Sequence, residues 1–372
     1  MSCASGLSKG AKRRPTIRAP QHVNRSKRVP TVSSLDLPRG CTFSESDWRA
    51  LAPFWYPVAF AHEVGTEPYG ATLLDERLVL YRIGDGSLVA ARDLCVHRGA
   101  PLTLGHVEGD EIVCKYHGLR YNPQGACTLI PAHPGGAISP RLRLTTFAVR
   151  ERYGLIWVRL LDNGPLSLPE LAEWDDDAYL RVLPESLTIK AAAGRQVEGF
   201  LDVSHFAFVH AESFGEAHNA TVPDYPITKT ERGFIADYVS TVSNYAHGSK
   251  HLAPANFRWR RRFEVFYPFT AKLTVFFPTG ELHILNAAAP VSARMTKLFV
   301  PICRNFDTDA PLQPTLDFNG QVFAEDIAIV ERQWPEDLPL DLHAEAHFPA
   351  DRSSIAYRQG LGALGLGRSY TA

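Results

Sequence analysis

The chain has 372 residues, of which 45% are hydrophobic and 21% charged, and its formal net charge is −1. That length suits about two domains of ordinary size, and the balance excludes a disordered chain, a nucleic-acid-coating protein and a membrane-embedded one. No stretch approaches the ~20 apolar residues of a spanning helix, so neither a membrane nor a nucleic acid is an expected partner.

Residues 1–45 read as a basic, flexible arm: residues 1–39 hold nine Lys and Arg against the single acid Asp36. An organellar transit peptide is the alternative, since such leaders are also rich in Arg and Ser and poor in acids. The remainder is acidic, with 30 basic residues against 39 acidic ones. The six cysteines, Cys3, Cys41, Cys95, Cys114, Cys127 and Cys303, form no close, regular framework. A reducing compartment, the cytoplasm, is therefore expected, with Cys3, Cys41, Cys127 and Cys303 as free thiols.

Residues 46–162 read as an all-β domain of short strands. Residues 78–83 and 87–91 are apolar, β-branched runs around Gly84-Asp85-Gly86, the pattern of a hairpin. Residues 153–160 look like the strand that closes the unit. Between these lie Cys95-Val96-His97 and, sixteen residues on, Cys114-Lys115-Tyr116-His117. Each half offers one thiolate and one imidazole. Two such loops face to face give one iron two sulfurs and the other two nitrogens, the arrangement of a Rieske [2Fe-2S] centre. Gly99 and Gly118 supply backbone freedom for loops wrapped around a cluster. A structural zinc site would accept the same four ligands, but zinc fingers do not use a CxH half. Respiratory-chain Rieske proteins brace these loops with a disulfide, and the corresponding positions here are Ala100 and Tyr116. A low-potential cluster follows, and missing thiol or hydroxyl donors near the sulfurs would act in the same direction.

A Pro- and Asp-containing connector then opens residues 163–372, with Asp175, Asp176 and Asp177 as a solvated loop. Residues 198–210 have helical character. Phe257, Trp259, Arg261, Phe263, Val265 and Tyr267 alternate with Arg258, Arg260, Arg262 and Glu264, which is a strand whose charged face is solvated. Further strands are expected at 271–277 and 296–303, and a helix from about 316 to 334. The fold class is α+β, an all-β first domain followed by a domain on an antiparallel sheet.

Asp202-Val203-Ser204-His205, followed by His210, is a DxxHxxxxH pattern. Two imidazoles and a carboxylate make the facial triad of Fe(II) oxygenases, with positions open for O2 and substrate. Asp202 and His205 share a helix face. His205 and His210 lie about 140° apart on a regular helix, so their convergence requires an irregular or π-type turn. Satisfied core histidines are the competing account. The third ligand is sought downstream, where helical spacing surrounds Asp326 with Val322, Phe323, Ile329 and Val330. A buried carboxylate needs a partner. Glu325 beside it has a more polar surround, and Asp337 falls in a loop. The rival for Asp326 is a buried pairing with an Arg. A GxGxxG match at residues 360–365 has no preceding strand and no room for a βαβ unit, so it is set aside. His62, His106, His133 and His247 receive no role.

The segments CVHRGAPL and CKYHGLRYNPQGAC resemble the cluster-binding segments of Rieske oxygenases, and EGFLDVSHFAFVH and AEDIAIVERQWPEDLPL resemble the iron-binding segments of the same family. The family usually has Pro at Val96, Trp at Leu119, Asn at Gly199 and Pro at Ala207. The resemblance implies a [2Fe-2S] cluster on Cys95, His97, Cys114 and His117, and Fe(II) on His205, His210 and Asp326. It implies a helix-grip catalytic domain. It further implies that Asp202 bridges to His97 or His117 of a neighbouring subunit in a head-to-tail homotrimer, a ring that closes heterologous contacts. Electrons would come from a separate NAD(P)H-dependent flavin or iron–sulfur reductase, directly or through a ferredoxin. CTLIPAHP, LDVSHFAFVH and HFPADRSSIAYRQGLGALG look most like the branch with saxitoxin-pathway hydroxylases and caffeine N-demethylases. That implies O2-dependent hydroxylation of a small polar, heterocyclic or aromatic substrate, with oxidative O- or N-demethylation as the alternative. An electron-transfer Rieske protein without oxygenase activity is the third reading.

Overall fold

The computed structural model describes residues 35–367. The first 34 residues of the arm, with Cys3 and the transit-peptide alternative, lie outside the described residues. After a short helix α1 (Glu45–Leu51), ten strands build the first half: β1 (Tyr56–Phe60), β2 (Tyr69–Leu73), β3 (Glu76–Arg82), β4 (Leu88–Arg92), β5 (His106–Glu108), β6 (Glu111–Val113), β7 (Arg120–Tyr121), β8 (Cys127–Leu129), β9 (Thr146–Arg152) and β10 (Leu155–Arg159). They form a six-stranded sheet in the order β1-β10-β9-β4-β3-β2 and a four-stranded sheet in the order β5-β6-β7-β8. The expected hairpin is β3–β4, with Leu78 opposite Arg92 and Arg82 opposite Leu88. Tyr153 and Gly154, at φ 59 and 69, make a turn, so the closing strand starts at Leu155.

The second half follows through β11 (Leu180–Val182) and β12 (Leu187–Ile189). Its main strands are β13 (Ile227–Lys229), β14 (Gly233–Ser240), β15 (Trp259–Phe266), β16 (Thr270–Phe277), β17 (Gly280–Ser292), β18 (Met295–Phe299) and β19 (Ile302–Arg304). Every pairing among them is antiparallel, along the path β11-β19-β17-β16-β15-β14-β13, with β18 joining β17 to β12. Alternation along β15 is regular, and Arg261 falls on its buried side. On the other side Arg260 and Arg262 share Asp237 of β14, at 2.8 and 2.9 Å. The expected strand at 296–303 is two strands, because Pro301 interrupts it. In the connector, Asp175 pairs with Arg152 and Asp177 with Arg181, so the acidic triplet forms exposed surface pairs.

Among the described residues, four α-helices complete this half: α2 (Ala193–Leu201), α3 (Phe206–Val209), α4 (Gln313–Val330) and α5 (Arg352–Ala363). The expected helix at 198–210 is thus split in two, and α4 begins and ends earlier than expected, with Pro314 in its first turn. The glycine-rich GxGxxG stretch runs from α5 into the turn after it. α2 packs on β16 and β17, α4 on α2, and α5 on β13 and β14. No described helix is long and apolar enough to cross a membrane.

β17 is the longest of the described strands, at 13 residues, and its far end, still paired with β18, meets the first half. There the amides of Leu74 and Asp75 donate to the carbonyls of Pro290 and Val291, at 2.8 and 2.9 Å. Phe60 stands edge-on to Phe299, 5.3 Å away. One apolar core runs through both halves. A smaller core of Val79, Tyr81, Ile112, Leu119 and Tyr121 sits under Cys95 and Cys114.

A buried ion network locks α5 onto α2. Arg358 holds both oxygens of Glu198, at 2.5 and 2.8 Å, and also reaches Glu345, which takes Arg195 at 2.9 Å. Arg358→Ala removes the bidentate partner of buried Glu198 and leaves it only Arg195, 3.7 Å away, a change worth up to about 3–5 kcal/mol. Urea unfolding is the measurement, and a loss below about 1 kcal/mol would remove the network from the account of stability. Burial pushes the Glu345 carboxyl up, but its bonds to Arg195 and Arg358 prevail and hold it below its ordinary value. A depressed carboxyl contributes stability above its unfolded pKa and loses it as pH falls through the folded one. Glu345→Gln is therefore expected to flatten the acid side of a Tm-versus-pH curve, and an unchanged slope would contradict that.

Candidate metal centres

The two cluster-type loops close in the same way. The Cys95 amide donates to Ala100 O at 2.8 Å and the Gly99 amide to Cys95 O at 2.9 Å. The Cys114 amide donates to Leu119 O and the Gly118 amide to Cys114 O, both at 2.9 Å. Each loop thus curls its backbone around its own cysteine, and each needs a left-handed residue to do so: Gly99 at φ 74 and Gly118 at φ 68. The result is polarised. Cys95 and Cys114 are buried, whereas His97 and His117 are exposed, with their rings 4.5 Å apart. Two thiols beneath two imidazoles fit a cluster that carries sulfur ligands on one iron and nitrogen ligands on the other.

Sequence reasoning linked a low potential partly to missing hydroxyls near the sulfurs. One hydroxyl is present: Tyr121 Oη lies 3.2 Å from Cys95 Sγ in a buried contact. Burial and the neighbouring Cys95 push this phenol well up, so it stays protonated and would donate to a cluster-bound thiolate. Among the described residues, Cys41, Cys95, Cys114, Cys127 and Cys303 form no disulfide.

The second cluster of donors depends on a break in the chain. α2 ends at Asp202, whose backbone turns extended. The Asp202 carboxylate accepts from the amide and hydroxyl of Ser204, at 2.7 and 2.6 Å, which fixes the reversal. The four-residue α3 then separates His205 from His210, and His210 leaves helical geometry at φ −93, ψ 25. The irregularity demanded by the five-residue spacing therefore sits at the flanks of this turn. α4 lies close above: a Cβ on Gly199 would stand 3.3 Å from Val330, tight enough to displace it by a few tenths of an ångström.

That approach brings Asp326 to both histidines. Its Oδ1 lies 3.3 Å from His205 Nε2 and 3.3 Å from His210 Nε2, and the two Nε2 atoms are 3.1 Å apart. Among the described residues this is the one group of three His, Cys, Asp or Glu ligand atoms close enough together to share an ion. Its edges are short enough for an ion with bonds of about 2.0–2.2 Å to touch every corner. The remaining ring nitrogens are also held. His205 Nδ1 faces Asp202 at 3.4 Å, and His210 Nδ1 faces Glu325 at 2.8 Å. With those nitrogens donating outward, the inner nitrogens present lone pairs to each other and to Asp326. Such a triangle of acceptors is satisfied by a cation.

A proton competes with that cation at one corner: burial lowers the His205 pKa, but bonds to Asp202 and Asp326 outweigh it and carry the group to about 9. Burial dominates at His210 and pulls it down. Burial raises Asp202, yet His205 and Ser204 hold it below its ordinary value. Phe214 stacks on His210 at 4.7 Å, and Phe206 carries the Arg261 guanidinium over its face at 5.3 Å. Arg261 is buried, bonded to Ser240, Val242, Ser243 and Asn244, and burial lowers its pKa to about 10.

Two details depart from the sequence reading. Ile329, counted among the apolar neighbours of Asp326, is 51% exposed. Glu325, set aside for its polar surround, is partly buried against His210 and Ser213. Both of these contacts come from more than a hundred residues away, so no local pattern announces them.

Comparison with known proteins completes the assignment. Residues 54–148 match the Rieske [2Fe-2S] domain, and residues 189–366 match the vanillate O-demethylase oxygenase C-terminal domain. Methylxanthine N1-demethylase NdmA of Pseudomonas putida is 36% identical over 320 residues, covering 84% of this chain and 88% of that protein. Methylxanthine N3-demethylase NdmB of the same organism is 31% identical, covering 84% of this chain and 89% of that protein. The structure of NdmA with caffeine superposes with a TM-score of 0.76, at 32% identity, over 86% of this chain and 92% of that one. The chain therefore belongs to the Rieske non-heme iron oxygenases, the enzymes whose oxygenase component carries a [2Fe-2S] cluster and a mononuclear iron and consumes O2.

Proposed function

We propose that this oxygenase hydroxylates a C–H bond of a small heterocyclic or aromatic substrate, and that the bond lies on an N- or O-bound methyl group. The single observation that carries the reading is the His205–His210–Asp326 triangle in a chain 36% identical to an N-demethylase. Hydroxylation of a methyl group and loss of formaldehyde are one C–H oxidation followed by a bond break. Sequence alone puts C–H hydroxylation first with demethylation as its alternative, and the methylxanthine demethylases favour the demethylating form.

His205, His210 and Asp326 would hold Fe(II), and Cys95, His97, Cys114 and His117 would hold the cluster. When bound, the cluster supplies electrons singly and the iron activates O2. The protein's own part is positioning. Asp202 and Glu325 aim the imidazoles, and Phe206, Phe214 and Phe318 surround the site with rings that exclude water. Asp202 would also be the link to the neighbouring subunit's cluster in a homotrimer. Its side chain is 31% exposed, and His97 and His117 reach the surface at the other end of that route. A separate NAD(P)H-dependent flavin or iron–sulfur reductase, directly or through a ferredoxin, would deliver the electrons. A cytoplasmic location suits the free thiols. The boundaries 46–162 and 163–372 would divide the cluster-bearing half from the catalytic one.

Asp326→Ala is expected to lower iron from three per chain to two while leaving the cluster's visible absorption intact. Three irons in that variant would end the ligand assignment. Asp202→Asn should keep all three irons and lose most O2-dependent turnover, because the bridge loses its charge. Full turnover there would take Asp202 out of the electron route. With methylxanthines and methoxyarenes as candidates, formaldehyde release and a product short of one methyl group support demethylation. A product that keeps its methyl groups and gains one oxygen supports ring hydroxylation instead.

A further inference from the structure

Two consecutive acids of α4 grip the two ends of one imidazole. Asp326 Oδ1 faces His210 Nε2 at 3.3 Å, and Glu325 Oε2 meets His210 Nδ1 at 2.8 Å. The ring between them is buried and stacked on Phe214. Glu325 is itself anchored: Ser213 Oγ donates to the same Oε2 at 2.7 Å, and Gln321 Nε2, one helical turn earlier, donates to Oε1 at 3.1 Å. Both carboxylate oxygens are thus occupied, and the carboxylate has no donor of its own to give. Nδ1 must therefore carry the hydrogen, which leaves the Nε2 lone pair facing the triangle.

We infer that Glu325 is the positioning residue of the mononuclear iron site: it selects the His210 tautomer, fixes the ring's rotation and strengthens Nε2 as a ligand. This rests on the reading that His205, His210 and Asp326 bind iron. Ser213 and Gln321 serve it by holding the carboxylate. The chemistry is that of carboxylate–histidine–metal triads, in which loss of the outer carboxylate typically weakens metal binding about 10–100-fold. Asp202 occupies the equivalent place on His205, at the longer distance of 3.4 Å and with a more exposed side chain, 31% against 14%. Glu325 is the deeper and tighter of the two braces.

The test uses the full chain with its cluster in place, comparing Glu325→Ala, Glu325→Gln and Ser213→Ala with the unaltered protein. Two quantities are read: the rate at which the non-cluster iron passes to an Fe(II) chelator, and the visible ligand-field spectrum of Co(II) loaded in its place. Glu325→Ala should release iron about 10–100-fold faster and shift the Co(II) bands. Glu325→Gln still accepts from Nδ1–H but lacks the charge, so it should fall between. Ser213→Ala should move both readouts in the same direction by less. A merely structural role would lower Tm and leave the Co(II) spectrum unmoved, and that result overturns the inference. So does a Glu325→Ala protein that releases iron at the unaltered rate. If Glu325→Ala fails to accumulate with its cluster, Glu325→Gln decides, and unaltered release and spectrum there are equally fatal. An unaltered chain with no iron beyond the cluster would instead sink the iron-site reading itself, which separates the two failures.

Discussion

Three lone-pair carriers aimed at a common point repel one another, and the catalytic half is organised to hold them there. Nε2 of His205, Nε2 of His210 and Oδ1 of Asp326 stand 3.1–3.3 Å apart inside an aromatic surround. No single element can present this arrangement. A regular helix carries positions 205 and 210 to different sides, so α2 must stop at Asp202 and restart as α3. The third corner must come from α4, which packs on α2 with Val330 close over Gly199. The carboxylates outside the triangle then determine which nitrogen of each ring faces in. Buried polar groups of this kind are costly unless every member is satisfied. Here the outer members are satisfied by protein, and the inner ones are left for a cation.

The division between what the sequence discloses and what it hides follows the range of the interactions. The CxH and CxxH loops are legible because their ligands, glycines and closing hydrogen bonds all lie within six residues of one another. The β3–β4 hairpin and the alternation of β15 are legible for the same reason. DxxHxxxxH is legible as chemistry, but the break that makes it work is not, since propensity alone runs the helix on through Asp202. Asp326 was reached by asking which acid would be costly to bury unpaired, and the structure puts it opposite the histidines, although Ile329 does not cover it. Glu325, Tyr121 and Arg261 escaped because their meaning lies in contacts across the fold: Glu325 with His210, the Tyr121 hydroxyl with Cys95, and the Arg261 cation on an otherwise apolar strand face. The length of β17 escaped as well, because its Ala-rich middle carries little strand signal.

The cluster loops and the iron triangle solve opposite problems. In the loops the thiols are buried and the imidazoles exposed, so the pair of loops meets solvent through its histidines. In the triangle His210 is the most buried member, and Asp202, the outermost of the attached groups, reaches back toward solvent. Each group therefore has one buried side and one side that meets its surroundings.

The passage of β17 from one half into the other has a mechanical consequence. A strand that is hydrogen-bonded into the catalytic sheet and also to Leu74 and Asp75 leaves no seam along which the halves could hinge. The direction in which the exposed imidazole pair points, relative to the iron triangle, is then a property of the folded monomer, comparable to the fixed angle between two arms of a bracket. Any assembly that brings a cluster on one copy to Asp202 on another must do so by choosing how whole brackets stack.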